Sequence, residues 1–253
     1  MQPSSKLYLW EKRTLYLGVI GEPIHFVQPA SSIAFSLDEP IKLTWNNQHI
    51  ETRSLLLPPG HVITGNTGKS PVAICMLDPL GYDYAAMSCL MQRTIQPVKL
   101  DIENEERYIK ELTQLYNNDL FADEAYTRLD ELLICKSQVE HTVDPRILRV
   151  IELIHEHVED NISIDCFANE IGVSSSRLFQ LFKEQVGAPI RRYRLWHRLF
   201  CATREIAKTS NLAAGAHSAG FSDAAHFHRT FKRMLGMTPT DLLAQPNGLR
   251  IYT

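Results

Sequence analysis

The feature that most restricts the fold of this 253-residue chain is an internal duplication near its C-terminal end. Leu178-Phe179-Gln180-Leu181-Phe182-Lys183 matches Phe227-His228-Arg229-Thr230-Phe231-Lys232, a period of 49 residues. Each copy is closed by a glycine, Gly187 and Gly236, and a proline follows, Pro189 and Pro239. Each is preceded by a shorter helical stretch and a glycine turn: Phe167 and Ile171 before Gly172-Val173, and Leu212, Ala213, Ala216 and Ala219 before Gly220-Phe221. Ser163 and Ser174 are suited to cap the two helices of the first copy, and Ser222 or Asp223 the second helix of the other. Two short helices about a tight glycine turn, the second polar and basic on its open side, form a helix-turn-helix layout.

Between the copies, Ile190 to Lys208 runs nineteen residues without glycine or proline, a rod of about 28 Å at the usual helical rise. That length sets two such units close to the roughly 34 Å of one DNA turn, so both can enter successive major grooves on one face. Charge agrees. The net charge of −3 conceals an asymmetry, with 12 Lys+Arg against 18 Asp+Glu in residues 1–143 and 14 against 11 in residues 144–253. From Ser174 to Arg233, 11 basic residues face only Glu184, Glu205 and Asp223, an excess that fits a polyanion, DNA above all.

The first eighty residues read as strands. Thr14–Ile20, Ile33–Leu37, Ile41–Trp45 and Val72–Leu77 are β-prone or alternating runs. Turn signals separate them at Asp38-Glu39-Pro40, Asn46-Asn47, Pro58-Pro59-Gly60 and Gly65-Asn66-Thr67-Gly68. Such spacing predicts a small antiparallel sandwich or barrel. From about Asn104 the period changes. Tyr108, Ile109, Leu112, Leu115 and Tyr116 share one helical stripe, and Phe121, Ala125, Leu129, Leu132 and Leu133 another, with Asn117-Asn118-Asp119 as the break. This predicts a helical hairpin whose stripes are covered either by the sheet or by a second copy of the chain. His141-Thr142-Val143 reads as a link, because Asp144-Pro145 supplies an N-cap and a proline at the first helical position. Ile147, Val150, Ile151, Ile154 and Val158 line the next helix, which Asn161 ends.

Residues 144–245 resemble the DNA-binding domain of the AraC/XylS family of bacterial transcription regulators. The resemblance rests on Ser163-Ile164, Ile171-Gly172-Val173-Ser174, Leu178, Phe182-Lys183, Gly187, Tyr193, Arg198-Leu199 and Ala202. It rests above all on the stretch Ala219-Gly220-Phe221-Ser222-Asp223-Ala224-Ala225-His226-Phe227-His228-Arg229-Thr230-Phe231-Lys232-Arg233, with Gly236 and Thr238-Pro239. The resemblance implies an α+β chain of two domains. Residues 1–140 would form a β-rich, cupin-like sandwich or barrel with a helical hairpin at about 104–139, which binds an effector or dimerises. Residues 144–245 would form an all-α domain with two helix-turn-helix units joined by a linker helix.

Position by position, the family's base-reading sites fall on Ser175, Ser176, Phe179 and Gln180, and on Ala224, Ala225, His228 and Arg229. Gln180 can bond adenine bidentately and Arg229 guanine, while Phe179 or Ala225 can meet a thymine methyl. Arg177, Lys183, His226 and Lys232 suit phosphates. Three departures stand out. Cys166 occupies the place of an acidic capping-box residue. Gln180 stands where arginine is frequent, pointing to a less guanine-dominated half-site. Gly215 replaces a larger apolar residue, which at roughly 1 kcal/mol against alanine predicts a looser second unit.

Other signals carry less. Gly65-Asn66-Thr67-Gly68-Lys69-Ser70 lacks the first P-loop glycine, since that position is Ile63, and Pro71 blocks a helix, so a strand-connecting turn is expected. His155 and His157 are two apart and do not share a helix face. His25, His49 and His61 lie in the β-rich part without the clustered His-x-His of cupin metal sites. Trp10, Trp45, Phe26 and Phe35 line either a pocket or the core. Cys75, Cys89, Cys135, Cys166 and Cys201 form no CxxC pair, which fits a reducing cytoplasm rather than a disulfide framework or zinc cluster. No run of about 18 apolar residues occurs, and Met1–Lys6 lacks a secretory layout.

The expectation is a cytoplasmic, sequence-specific regulator without cofactor, metal or enzymatic activity. Its partners would be double-stranded promoter DNA, RNA polymerase, a second copy of itself and a small-molecule effector. A cupin-type metalloenzyme fused to a DNA-binding module and a ligand-independent dimeric regulator are the alternatives.

Overall fold

The computed structural model describes residues 4–20, 24–27, 30–45, 48–78, 80, 82–133, 143–209, 211–235, 238–240 and 249–253, with the backbone alone at 24–27, 62, 63, 66 and 235. The side chains of His25 and Phe26, Cys135, the hairpin end at 134–139, the link at His141-Thr142, Gly236 and the stretch 241–245 lie outside the described residues.

Among the described residues the chain opens with nine strands: β1 (Ser5–Leu9), β2 (Thr14–Val19), β3 (Ile24–Val27), β4 (Ser32–Ser36), β5 (Ile41–Trp45), β6 (Gln48–Thr52), β7 (Ser54–Leu57), β8 (Val62–Asn66) and β9 (Pro71–Met76). After α1 (Tyr82–Ser88) come β10 (Met91–Ile95), β11 (Val98–Ile102), α2 (Glu105–Asn117) and α3 (Ala122–Leu133). The helical region follows as α4 (Pro145–Glu156), α5 (Ile164–Glu170), α6 (Ser175–Val186), α7 (Ile190–Thr209), α8 (Leu212–Ser218) and α9 (Ala224–Leu235), and β12 (Leu249–Tyr252) closes the chain. The strands form a larger sheet in the order β10-β11-β7-β4-β9-β2-β1-β12 and a smaller one in the order β3-β8-β5-β6. Gly68 and Lys69 lie in the turn from β8 to β9, as expected of the GKS segment.

Side-chain alternation sorts the larger sheet into two buried faces. Leu15 and Leu17 of β2, Ile33 and Phe35 of β4, Leu56 of β7 and Ala73 and Cys75 of β9 point to one side. There they meet Tyr108, Ile109, Leu112 and Leu115 of α2 and Leu129, Leu132 and Leu133 of α3. The hairpin stripes are therefore covered by the sheet of their own chain. Phe121 departs from its stripe, being 85% exposed. Its carbonyl accepts the first bond of α3 from the Ala125 N–H at 3.0 Å, so it precedes the helix and escapes the helical face. Phe35 stacks on Tyr108 at 5.4 Å within this core, while Trp10 stacks on Tyr8 at 5.3 Å and Trp45 tilts against His61 at 5.8 Å.

The opposite face, with Tyr16, Ala34, Leu55, Leu57, Val72 and Met76, joins Leu43 and Ile50 of the smaller sheet and the buried side chains of α4 to α9 in one apolar cluster. The indole N–H of Trp196 on α7 donates to the Met76 thioether at 3.3 Å. A Cβ built on Gly187 would lie 3.2 Å from Pro59, and one on Gly60 2.9 Å from the Arg192 guanidinium. The helices thus dock on the strands through an apolar seam.

Two polar clusters brace the chain. Arg13 is 7% exposed and clamps Asp83 of α1 with Nε and Nη2 at 2.6 and 2.7 Å, while Nη1 reaches Asp130 of α3 at 2.5 Å. His155 of α4 stacks on His197 of α7 at 4.0 Å. The first expected helix ends earlier than Asn161: α4 stops at Glu156, so Val158 lies beyond it.

Candidate nucleic-acid interface

The two helix-turn-helix units are built by the same local bonds. In the first, the Ser163 hydroxyl accepts from the Cys166 N–H at 3.2 Å and also donates to the Cys166 thiol at 3.2 Å. Gly172 takes φ 67°, the Val173 N–H returns to the Ala168 carbonyl at 3.0 Å, and Ser174 caps α6 by accepting from Arg177. In the second, Asn211 caps α8 at 3.0 Å, Gly220 takes φ 73°, and the Phe221 N–H returns to Ala216 at 3.0 Å. Asp223 then accepts from the His226 N–H at 2.6 Å. The cap of α9 is therefore Asp223, with the Ser222 hydroxyl donating to its carboxylate at 3.0 Å. That leaves one more residue in the second turn, which is why the turn glycines stand 48 apart and the helices 49. These bonds hold the Asp223 carboxyl below its ordinary pKa, the His226 backbone N–H contributing most. Only a residue without Cβ fits at Gly220, both for its positive φ and because a Cβ would lie 2.8 Å from the Glu159 carbonyl.

Phe182 packs edge-on against Tyr193 of α7 at 5.5 Å, and Phe227 sits between Phe221 and Phe231 at 5.3 and 5.6 Å. With these apolar stripes turned inward, the other sides of α6 and α9 face out. Ser176, Phe179, Gln180, Ala224, Ala225 and Arg229 are exposed, and Ser175 and His228 half-buried. Ser175 donates to the Asp165 carboxylate. Phe179, 39% exposed, lies under the Arg191 guanidinium at 5.9 Å. The Gln180 carbonyl accepts from Arg177 at 3.0 Å and its amide donates to Glu184 at 2.9 Å, so this reading candidate is held in a chain along α6. Of the phosphate candidates, Arg177, Lys183 and Lys232 are exposed, and His226 is half-buried against Phe221 at 5.3 Å.

The charge excess is not all available to a polyanion. Arg194 donates to the carbonyls of Ile162 and Asp160 at 2.8 and 3.3 Å, and Arg198 to those of Val158, Gly220 and Asp160 at 2.9, 3.3 and 2.8 Å. These two guanidiniums fasten the loop after α4 and the second turn to α7, and burial pulls both pKa values down. Sequence reasoning counted them with the surface cations. Their spacing of four and eight residues from Ile190 on the same rod was the available sign of a half-buried position.

Gly215 overturns the expectation of a looser second unit. A Cβ there would lie 2.5 Å from Ile206 and 2.9 Å from the Ala202 carbonyl, both on α7. The glycine lets α8 approach α7 closely, a packing role. Gly215→Ala is expected to lose stability by roughly 1 kcal/mol net, because overpacking of about 1–3 kcal/mol exceeds the gain in helix propensity. Urea unfolding checks this, and a more stable variant would contradict it.

The β-rich part holds the remaining candidates apart. The His49 ring shares a 3.4 Å contact with the Thr44 hydroxyl, while His61 lies 3.2 Å from the Pro59 carbonyl with its pKa lowered, first by burial and then by Arg192. Among the described residues no group of three or more His, Cys, Asp or Glu side chains converges as a metal site would. His155 and His157 turn to different partners, Tyr193 and Asp160, each at 2.9 Å. No described helix is long and apolar enough to cross a membrane.

A family model described as a helix-turn-helix domain matches residues 167–245. The arabinose operon regulatory protein of Escherichia coli strain K12 is 28% identical over 127 residues, covering 47% of this chain and 44% of that protein. A putative AraC-like transcription regulator of Streptomyces antibioticus is 31% identical over 104 residues, covering 41% and 34%. The chain thus spans less than half the length of these relatives. The crystal structure of ToxT from Vibrio cholerae O395 superposes with a TM-score of 0.57 at 10% identity, over 91% of this chain and 95% of that one, which makes the two-part α+β fold a shared one. By the duplicated helices and these matches, residues 167–245 form a helix-turn-helix domain of the AraC type.

Proposed function

We propose that this protein is a sequence-specific DNA-binding transcription regulator of the AraC type, with a cupin-like effector or dimerisation domain in residues 1–140 and a DNA-binding domain in residues 144–245. The observation that carries the reading is the pair of helices α6 and α9, each held by the same turn and each presenting polar and basic side chains to solvent. In this reading Ser175, Ser176, Phe179, Gln180, Ala224, Ala225, His228 and Arg229 meet base edges. Arg177, Lys183, His226 and Lys232 meet phosphates, and α7 sets the spacing of the two grooves. Arg191 and Arg233, exposed on α7 and α9, add to the phosphate-binding face. RNA polymerase and a second copy of the chain are its protein partners.

The ToxT structures include one bound to (E)-4-(8-methylnaphthalen-1-yl)but-3-enoic acid and one bound to an unsaturated fatty acid. An apolar carboxylic acid is accordingly the effector class to screen first by thermal shift, since a ligand of the folded state raises its apparent stability. Selection of bound DNA from a random pool tests the main reading. Enrichment of a site with two half-sites about one helical turn apart is the expected outcome, and recovery of unselected sequence would overturn it.

Two variants separate the roles. Arg229→Ala is expected to relax preference at one base pair, a loss of about 1–3 kcal/mol in discrimination, and an unchanged selected site would remove Arg229 from base reading. Lys183→Ala is expected to weaken binding evenly across sequences and to lower the slope of log affinity against log salt by about one. An unaltered slope would count against the phosphate role.

A further inference from the structure

Beyond the second helix-turn-helix unit the chain returns to the sheet where it began. β12 runs parallel to β1, with Ser5 beside Leu249, Lys6 beside Arg250, Leu7 beside Ile251 and Tyr8 beside Tyr252. Arg250 and Tyr252 are two apart on a strand and therefore share a face. On that face the Arg250 guanidinium pairs with the Asp119 carboxylate between α2 and α3. The Tyr252 ring stacks on Tyr8 at 4.5 Å, and its hydroxyl donates to Asp119 at 3.4 Å. Asp119 also receives the buried Lys6 ammonium at 3.1 Å, so one carboxylate is shared by the first strand, the hairpin turn and the last strand. Its pKa is held down by these bonds, that from Lys6 first.

Without β12, β1 would be the outer strand of the larger sheet and would present unpaired backbone donors and acceptors to solvent. Parallel neighbours need a long crossover, and here the crossover contains the whole helical region. We propose that the open edge of β1, with Tyr8 and Asp119 beside it, is a strand-docking surface whose partner is the chain's own C-terminal segment, read by an arginine and a tyrosine two residues apart. The helix-turn-helix region is thereby anchored to the N-terminal sheet at both of its ends, through the chain entering α4 and through β12. A tethered strand docks at high effective concentration, so modest contacts suffice to keep it seated.

Leu7 and Ile251 are neighbours in the register and both half-buried, which makes Leu7→Cys with Ile251→Cys a direct test in the full-length protein. Oxidation is expected to form a bridge within the monomer, seen by non-reducing electrophoresis and located by peptide mapping. Adding Arg250→Glu and Tyr252→Ala is expected to slow bridging about tenfold, by removal of the cross-strand charge and ring contacts. A bridge absent from the monomer, one found only between chains, or a rate indifferent to the added substitutions would each overturn the proposal. Hydrogen exchange on the protein with its natural cysteines supplies an independent readout. The Arg250→Glu, Tyr252→Ala variant should exchange the β1 amides about tenfold faster while those of α6 are unchanged, and unaltered exchange in β1 would refute the docking.

Discussion

Arg13→Ala is expected to destabilise the chain by about 3–5 kcal/mol, because removing one partner of a buried ion pair leaves the other charge unpaired in a dry site. The residue left behind is Asp83, 6% exposed, whose carboxylate takes two bonds from Arg13 and one from the Asp78 backbone N–H at 3.1 Å. The guanidinium also spans to Asp130 and lies over the Tyr126 ring at 5.5 Å, so the start of β2, α1 and α3 are joined at one point. Urea unfolding followed by tryptophan emission measures the loss. The paired change Arg13→Met with Asp83→Leu should recover part of it, since replacing both charges by apolar groups of similar size avoids the orphaned carboxylate. A loss below about 1 kcal/mol for the single variant would show that water reaches the site and that the bridge behaves as a surface pair.

The second large effect is a dependence of stability on pH set by His155 and His197. His197 is 6% exposed, and its pKa is lowered to about 3, first by burial, then by His155 and Arg204. His155 is also lowered, by burial against an opposing contribution from Glu11. Around the pair stand the Tyr193 hydroxyl at 2.9 Å from His155, the Cys201 thiol at 3.6 Å from His197, and the Glu11 carboxylate at 3.8 Å from His155. A folded-state pKa below the unfolded value means that the unfolded chain binds the proton more readily as pH falls below about 6.5. Stability is therefore full above that pH and lost below it, at a slope approaching 1.36 kcal/mol per pH unit for His197 alone. By pH 5 the loss is about 2 kcal/mol. Asp78 works in the opposite direction, since burial raises its pKa and its folded form accepts a proton earlier. Urea midpoints measured from pH 7 to pH 5 check the prediction, and a flat profile would show that the ring pair is hydrated or that the seam opens at no cost.

The duplication was legible because everything that makes it is local. A serine or aspartate cap, a glycine at positive φ and an apolar residue every three or four positions act within a single turn of chain, and they appear in the structure at Ser174, Gly172, Gly220 and Asp223. The rod between the units was legible for the same reason, nineteen residues without glycine or proline becoming the twenty of α7. The paired apolar stripes of α2 and α3 announced a hairpin but could not say what covers it. That depended on Leu15, Ile33 and Ala73, which lie from about 30 to more than 100 residues away in the chain.

Other particulars misled for an equally definite reason. Gly215 looked like weakness because helix propensity is a property of one helix, whereas its role is set by Ile206 and Ala202 of another. Arg194 and Arg198 counted as surface charge because a formal charge carries no information about burial. β12 was not anticipated, since four residues after a long helical stretch have no periodicity of their own and pair only because the edge of β1 is there to receive them.

From its order of residues alone, this chain established two capped helix-turn-helix units at a fixed spacing, a β-rich beginning and an asymmetric charge. Tertiary structure decided which cations stay free, which glycine is a contact, which face of the sheet the hairpin covers and where the last strand docks. The division follows the range of the forces involved. Capping, turn geometry and amphipathic period act over a few residues, while burial and strand pairing act between groups that meet only after the chain has folded.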